Sequence, residues 1–329
     1  MRRTLRVGLL ALAVTAAIAG CSGGSGNSAP TTKPTGPLRF VALPASPRAL
    51  GQTGRLVDND DTVIALIEGR LYRYDPWTPG AIWLELGRDL PSTRSRLVTW
   101  NDRVWYLTND RGRLELASVA LSGDRRSDTR AVSGATDASF GIMAARDALY
   151  VFGTEGGFRV DRDGLYTEFP GPPDSRAVSD WSTAQLAELG DGTIVVADDK
   201  RVQWIYEPDL AHWRVPSSGV QPRDIRSISV ANDGAYLIAG SPPQALRLAA
   251  SNRLEPLSTA PIIGCDAPEL YPNDLGLVSV GCGKATLIDG AENQSVDVPA
   301  GTLVVHGPRG RPLVIRSDTG ELLLLQPSQ

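Results

Sequence analysis

Reactive side chains are few in this sequence. Its 329 residues include two histidines, His212 and His306, and three cysteines, Cys21, Cys265 and Cys282. A transition-metal site built on several imidazoles cannot be assembled from two, so no metal ligands are assigned. A Ser-His-Asp triad would have to draw on His212 or His306, and no Gly-x-Ser-x-Gly elbow is present. Carboxylate-pair catalysis stays open in a chain with 37 acidic residues. No catalytic residue and no cofactor is assigned. The acidic run Asp58-Asn59-Asp60-Asp61 offers oxygen ligands of the kind that hold Ca²⁺, but it lacks the Gly and the closing Glu of a calcium loop. Turn chemistry explains it better, and the same holds for Asp198-Asp199.

Arginine and tryptophan carry what binding chemistry there is. Arg48, Arg94, Arg96, Arg176 and Arg223 stand in Pro-, Ser- and Asp-containing connections. The guanidinium fork suits a carboxylate or a phosphate, because it is planar and donates in pairs. The plainer reading is that each is a solvated loop residue, or pairs with neighbours such as Asp174, Asp180 and Asp224. Trp181, beside Asp180, is the tryptophan best placed to stack on a sugar ring, with burial as its other use.

The elements that must position these residues repeat along the chain. A short apolar strand, a tight polar turn and a strongly apolar strand recur seven times. The turns centre on Asp61, Asp102, Asp147, Asp191, Asp233, Asp274 and Gly310, spaced 41 to 45 residues apart except for a last step of 36. Asn-Asp and Asp-Gly turns favour tight hairpins, since these residues tolerate positive φ. The strands that follow (Val63 to Ile67, Val104 to Leu107, Leu149 to Phe152, Ile194 to Ala197, Tyr236 to Ala239, Leu277 to Val280, Leu313 to Ile315) are rich in Val, Ile, Leu and Tyr. Two more candidate strands continue each unit, as in Leu71 to Tyr74 and Ile82 to Leu86.

Four strands in roughly 42 residues is the signature of a propeller blade. The expected fold is all-β, a seven-bladed β-propeller. Its last unit is one strand short, and Leu38 to Leu43 is an unassigned strand at the other end. The N-terminal strand is therefore expected to close the last blade, removing an open edge that invites aggregation. The Gly-His and Trp-Asp marks of WD40 blades are absent, as are the Ala-Trp repeats of quinone-type propellers. Ser317-Asp318-Thr319-Gly320 is only loosely similar to an Asp-box.

This topology groups residues distant in sequence. With the strands of a blade lettered A to D outwards from the channel, the Asp turns are A–B turns on one face. B–C and D–A connections share the other. Arg48, Arg94, Arg96, Arg176 and Arg223 are then expected around one funnel mouth, with Trp181, as a face for an anionic ligand or an acidic partner. Cys265 and Cys282 fall on that same face of the sixth blade and are expected to form a disulfide. A redox-active pair fits less well, with no Cys-x-x-Cys and no neighbouring His.

The first residues set the expected compartment. Arg2, Arg3 and Arg6 precede an apolar run from Val7 to Ile18, then Ala19, Gly20 and Cys21. Charge, apolar run and small residues make a secretory signal, and about 12 residues are too few to span a bilayer as a helix. Ile18-Ala19-Gly20-Cys21 resembles the lipobox of bacterial lipoproteins. The resemblance covers this segment alone. It implies cleavage before Cys21, diacylglycerol on its sulfur, and stable anchoring once two or more chains are attached. Residues 1–20 are read as the signal peptide and 21–37 as a flexible tether rich in Gly, Ser, Thr and Pro. Residues 38–329 are read as the propeller.

Removing Arg2, Arg3 and Arg6 leaves 30 of the 33 basic residues against 37 acidic ones, a balance of −7. That argues against a nucleic-acid partner. Only Lys33, Lys200 and Lys284 are lysines, and the arginine bias points to a GC-rich, actinobacterial kind of genome. The expectation is a monomer on the extracytoplasmic face of a cell membrane, held by palmitate-type acyl chains on Cys21. It would act as a binding or scaffold module for an envelope protein or an anionic ligand. An envelope glycan hydrolase or lyase and a solute sensor for a neighbouring transporter or kinase are the alternatives.

Overall fold

Seven four-stranded antiparallel sheets follow one another around a ring in a computed structural model of the chain. The structure describes residues 36–47, 55–57, 61–88, 90, 97–110, 113–122, 128–131, 140–174, 178, 180–198, 201–217, 222, 224–231, 234–257, 265, 267–288 and 294–328. All of them fall in the compact unit Thr35–Gln329. In A to D order, blade 1 is Arg55–Val57, Val63–Ile67, Arg70–Tyr74 and Leu84–Gly87, and blade 2 is Val98–Trp100, Arg103–Asp110, Arg113–Ala120 and Asp128–Ala131. Blade 3 is Gly141–Ala144, Ala148–Phe152, Gly156–Asp161 and Tyr166–Pro170. Blade 4 is Gln185–Glu188, Ile194–Ala197, Val202–Glu207 and His212–Arg214, and blade 5 is Ile225–Ala231, Gly234–Ala239, Gln244–Ala250 and Arg253–Pro256. Blade 6 is Glu269–Asn273, Gly276–Gly281, Lys284–Ile288 and Gln294–Asp297.

Blade 7 takes Thr302–His306, Pro312–Arg316 and Leu322–Pro327 from the end of the chain, and its D strand, Leu38–Ala42, from the beginning. Leu38 pairs with Pro327 and Ala42 with Leu323. The Ser328 amide donates to the Pro37 carbonyl at 2.7 Å, and the Leu43 amide donates to the Leu322 carbonyl at 2.8 Å. The expected closure of the last blade by the N-terminal strand is thus the one observed.

The core is divided rather than central. Seven clusters of buried side chains occur, one between each pair of adjacent blades, including the pair formed by blades 7 and 1. This explains why the B strands read as continuous apolar runs. Each is covered on both faces by a neighbour, so every residue of Val63–Ile67, Ala148–Phe152, Ile194–Ala197 and Gly234–Ala239 is buried. Outer strands keep one wet face and alternate. The hairpins obey their turn residues: Asn101 and Asp102 have φ of 51° and 55°, and Cys282 and Gly283 have 51° and 77°. Two successive left-handed residues match the right-handed twist of the flanking strands. Among the described residues no helix is long and apolar enough to cross a membrane.

Candidate functional site

Two of the residues singled out in the sequence are joined. Cys265 enters blade 6 and Cys282 sits in its B–C turn, and they form a disulfide with Cα atoms 5.7 Å apart. A Cβ on Gly281 would come within 2.8 Å of the Cys265 sulfur and 3.0 Å of Pro268 Cα, so this position needs a residue without a side chain. Replacing both cysteines by serine is expected to lower stability by about 3 kcal/mol, the chain-entropy value for a loop of this length. Urea unfolding under non-reducing conditions reads this as a lower midpoint, and an unchanged midpoint would mean that the bridge does not constrain the unfolded chain.

Trp181 is placed otherwise than expected for a ligand contact. It is 1 % exposed, within the core between blades 3 and 4. Its ring stacks on Phe152 at 5.8 Å and 9°, and meets Trp213 edge-on at 6.2 Å and 65°. The aromatic area gained by burying the indole outweighs what an exposed stacking platform would offer, so packing, the second of its two uses, is the one it takes. Arg48, Arg94, Arg96, Arg176 and Arg223 lie outside the described residues, as do Cys21 and Asp58 to Asp60. The histidines are in different blades. His212 is exposed in the D strand of blade 4, with Nδ1 3.6 Å from a Glu207 carboxylate oxygen. His306 ends the A strand of blade 7, and its ring lies 4.4 Å from that of Tyr271. Burial, and then the adjacent Glu269 carboxylate to which it donates a 2.7 Å hydrogen bond, push the Tyr271 hydroxyl well above its ordinary pKa and keep it neutral.

The concavity that sequence reasoning missed is at the other end of the ring. A recess of about 480 Å³ opens where the A strands of blades 2 to 5 reach their A–B turns. Its lining is mixed, with apolar Val98, Trp100, Ile142, Met143 and Leu186 beside polar Asn101, Asp102, Arg146 and Glu188. The rim is organised across blades. The Arg146 amide donates to Glu188 Oε2 at 2.7 Å, linking blades 3 and 4. Arg162 donates to the Arg146 carbonyl at 2.9 Å and lies 3.7 Å from Asp147. A volume of this order is that of a site for a small ligand or an inserted side chain. Among the described residues no cluster of three His, Cys, Asp or Glu could hold a metal ion.

On the same end of the ring, the seam between blades 6, 7 and 1 is clasped. Arg311 donates to both carboxylate oxygens of Asp274, at 2.6 and 2.8 Å. Its guanidinium lies 4.8 Å from the centre of the Trp77 ring, and that of Arg309 lies 4.2 Å from it. Arg309 also reaches Asp61 at 3.2 Å, and the Trp77 indole N–H donates to the Asp61 carbonyl at 2.8 Å. Arg309 and Gly310 are both left-handed, and a Cβ on Gly310 would strike the Pro272 carbonyl at 2.3 Å.

No protein-family model matches the chain, and no curated protein does. Solved structures do. The WD40 domain of Pan2 from Neurospora crassa aligns with a TM-score of 0.56 and 16% identity, over 89% of this chain and 96% of that one. A chain of the mitotic checkpoint complex gives 0.53 and 15%, over 100% of this chain and 99% of that one. PorZ, a surface component of the type-IX secretion system of Porphyromonas gingivalis, gives 0.48 and 13%; 88% of this chain is covered, and it spans 39% of PorZ. The chain is a β-propeller. The first two likenesses agree with that fold and show nothing further, and the fold is reached here without the Gly-His and Trp-Asp marks of WD40 blades.

Proposed function

We propose that this chain is an extracytoplasmic binding module, held to a membrane by lipid on Cys21, that presents the ends of its ring to an envelope protein or an anionic ligand. The observation that carries the binding part is the recess at the A–B end, a preformed concavity lined by apolar and polar groups in about equal measure. The compartment is supported by the Cys265–Cys282 bridge, because such bonds persist in oxidising surroundings and are rare in the cytosol. Lipid on Cys21 is the reading of the lipobox-like segment. Cys21→Ala is expected to move the protein from the membrane fraction to the culture medium. Retention of the variant in washed membranes overturns the tether.

For the anionic ligand, the candidate contacts are Arg48, Arg94, Arg96, Arg176 and Arg223. Arg176→Glu combined with Arg223→Glu is expected to weaken binding to immobilised polyphosphate by about tenfold or more, each charge contact contributing on the order of 1 kcal/mol. Equal retention by the variant and the parent removes these arginines from the site.

A further inference from the structure

The recess is walled by strand edges, and register fixes which backbone groups face it. In an antiparallel pair, alternate residues turn both N–H and C=O to the partner, and the residues between turn theirs away. The Ala145 amide donates to the Ala148 carbonyl at 2.9 Å, so in blade 3 Ile142 and Ala144 turn theirs away from the B strand, towards the channel. The Leu189 amide donates to the Thr193 carbonyl at 2.8 Å, and in blade 4 the same alternation sends those of Leu186 and Glu188 inwards. All four residues line the recess. The side chains of Ile142, Met143 and Leu186 are packed between blades, so what they leave to the recess is largely backbone donors and acceptors.

Charge of both signs is set around this wall. Asp102, Arg146 and Glu188, from blades 2, 3 and 4, are the charged residues of the lining. Glu188 is held in place, with Oε2 accepting from the Arg146 amide at 2.7 Å. Arg146 and Asp102 are exposed, and among the described residues neither the guanidinium nor the Asp102 carboxylate has a hydrogen bond or an ion pair. The neighbouring charges are engaged, since Arg162 lies 3.7 Å from Asp147 and donates to the Arg146 carbonyl. A guanidinium and two carboxylates thus line one cavity without closing on each other. A ligand of a single sign is repelled by part of this set. A small ligand with an ammonium and a carboxylate a few bonds apart can place each charge against its opposite. Asp102, Glu188 and the inward carbonyls suit the ammonium, and Arg146 with the inward amides suits the carboxylate. No charge in the lining is left for a third ionised group. We infer that the recess binds a free α-amino acid with an uncharged side chain, held as its zwitterion. This rests on the reading of the recess as a binding site given above.

The test uses the full chain, purified in detergent and titrated calorimetrically with each of the common L-amino acids. The expected result is saturable binding of one or more that have uncharged side chains. The methyl ester of a bound amino acid lacks the carboxylate charge, and its N-acetyl derivative lacks the ammonium. Each is expected to bind at least about tenfold more weakly. Arg146→Gln keeps the backbone amide that Glu188 accepts from. It is expected to abolish the preference over the methyl ester and to keep the preference over the N-acetyl derivative. Asp102→Asn combined with Glu188→Gln is expected to do the reverse. A variant that merely unfolds loses all binding, so opposite losses of preference identify the site. Equal binding of the amino acid and either derivative by the parent overturns the zwitterion site, as does a preference that survives both sets of changes. The same protein is titrated with polyphosphate. Binding of polyphosphate but of no amino acid overturns the zwitterion site and leaves the anionic-ligand reading standing, whereas binding of neither overturns both.

Discussion

Trp181→Ala is expected to destabilise the propeller by about 3–5 kcal/mol, the range for deleting a buried aromatic side chain. Trp181 is 1 % exposed and belongs to a cluster that contains Phe152, Phe169, Tyr206 and Trp213. Phe152 alone contacts five aromatic rings, including Trp181 stacked at 5.8 Å, so the void would open at the centre of the packing between blades 3 and 4. Neighbours tied into two sheets have little freedom to collapse into it. For a domain of this size the midpoint of thermal unfolding falls by about 5–8 °C. Calorimetry reads the fall directly, and Trp181→Phe, which keeps a ring in the stack, should recover more than half of it. A Trp181→Ala protein with parental stability would show that the indole is not a core residue and would return it to the ligand-binding candidates.

The clasp at the seam predicts the second large effect. Arg311 is 7 % exposed and makes a two-pronged contact with Asp274. Removing one member of a buried ion pair costs about 3–5 kcal/mol, because the other is left behind without its counter-charge. Here the side chain of Asp274 is 32% exposed, and Arg309 remains 3.6 Å from it. Arg311→Ala is therefore expected to cost about 2–4 kcal/mol, part of it from the lost contact with Trp77. Asp274→Ala should cost a similar amount, and the double variant clearly less than the sum of the two. Strict additivity in urea unfolding of the four proteins would show that the two side chains do not act as a pair.

Much of the architecture was legible because it is written in local rules. The Asp-bearing turns gave seven blades, and the strands after them lie where they were placed. Ile194–Ala197 coincides with its expected span, and Leu313 to Ile315 grew by one residue at each end into Pro312–Arg316. Closure by Leu38–Ala42 followed from counting strands, and the meeting of Cys265 with Cys282 followed from topology. The recess was not legible. Asn101-Asp102 was read as turn chemistry, and its φ values show that it is that as well. Glu188 carries no local signal, because what it caps, the Arg146 amide, belongs to the previous blade. Trp181 had two readings, and burial is the one the structure takes. A polar neighbour, Asp180, suggested exposure, yet that carboxylate is spent on the turn, accepting from the Ser182 amide and hydroxyl at 2.9 and 2.7 Å. The turn folds the indole back into the core.

Closure by the first strand also fixes an order of events. Leu38–Ala42 is made before any other strand of the body, yet its partner Leu322–Pro327 is made after all the rest. During synthesis, which runs from the N-terminus, the earliest strand waits without a sheet, and the last pairing bears nearly the whole loop-closure entropy of the chain. Until it forms, Leu322–Pro327 presents the row Leu-Leu-Leu-Leu-Gln-Pro along an unpaired edge. Such an edge is a template for joining another chain. A nascent or truncated chain lacking either strand therefore carries the aggregation hazard that the closed ring conceals, and folding is expected to complete in one late, slow step rather than blade by blade.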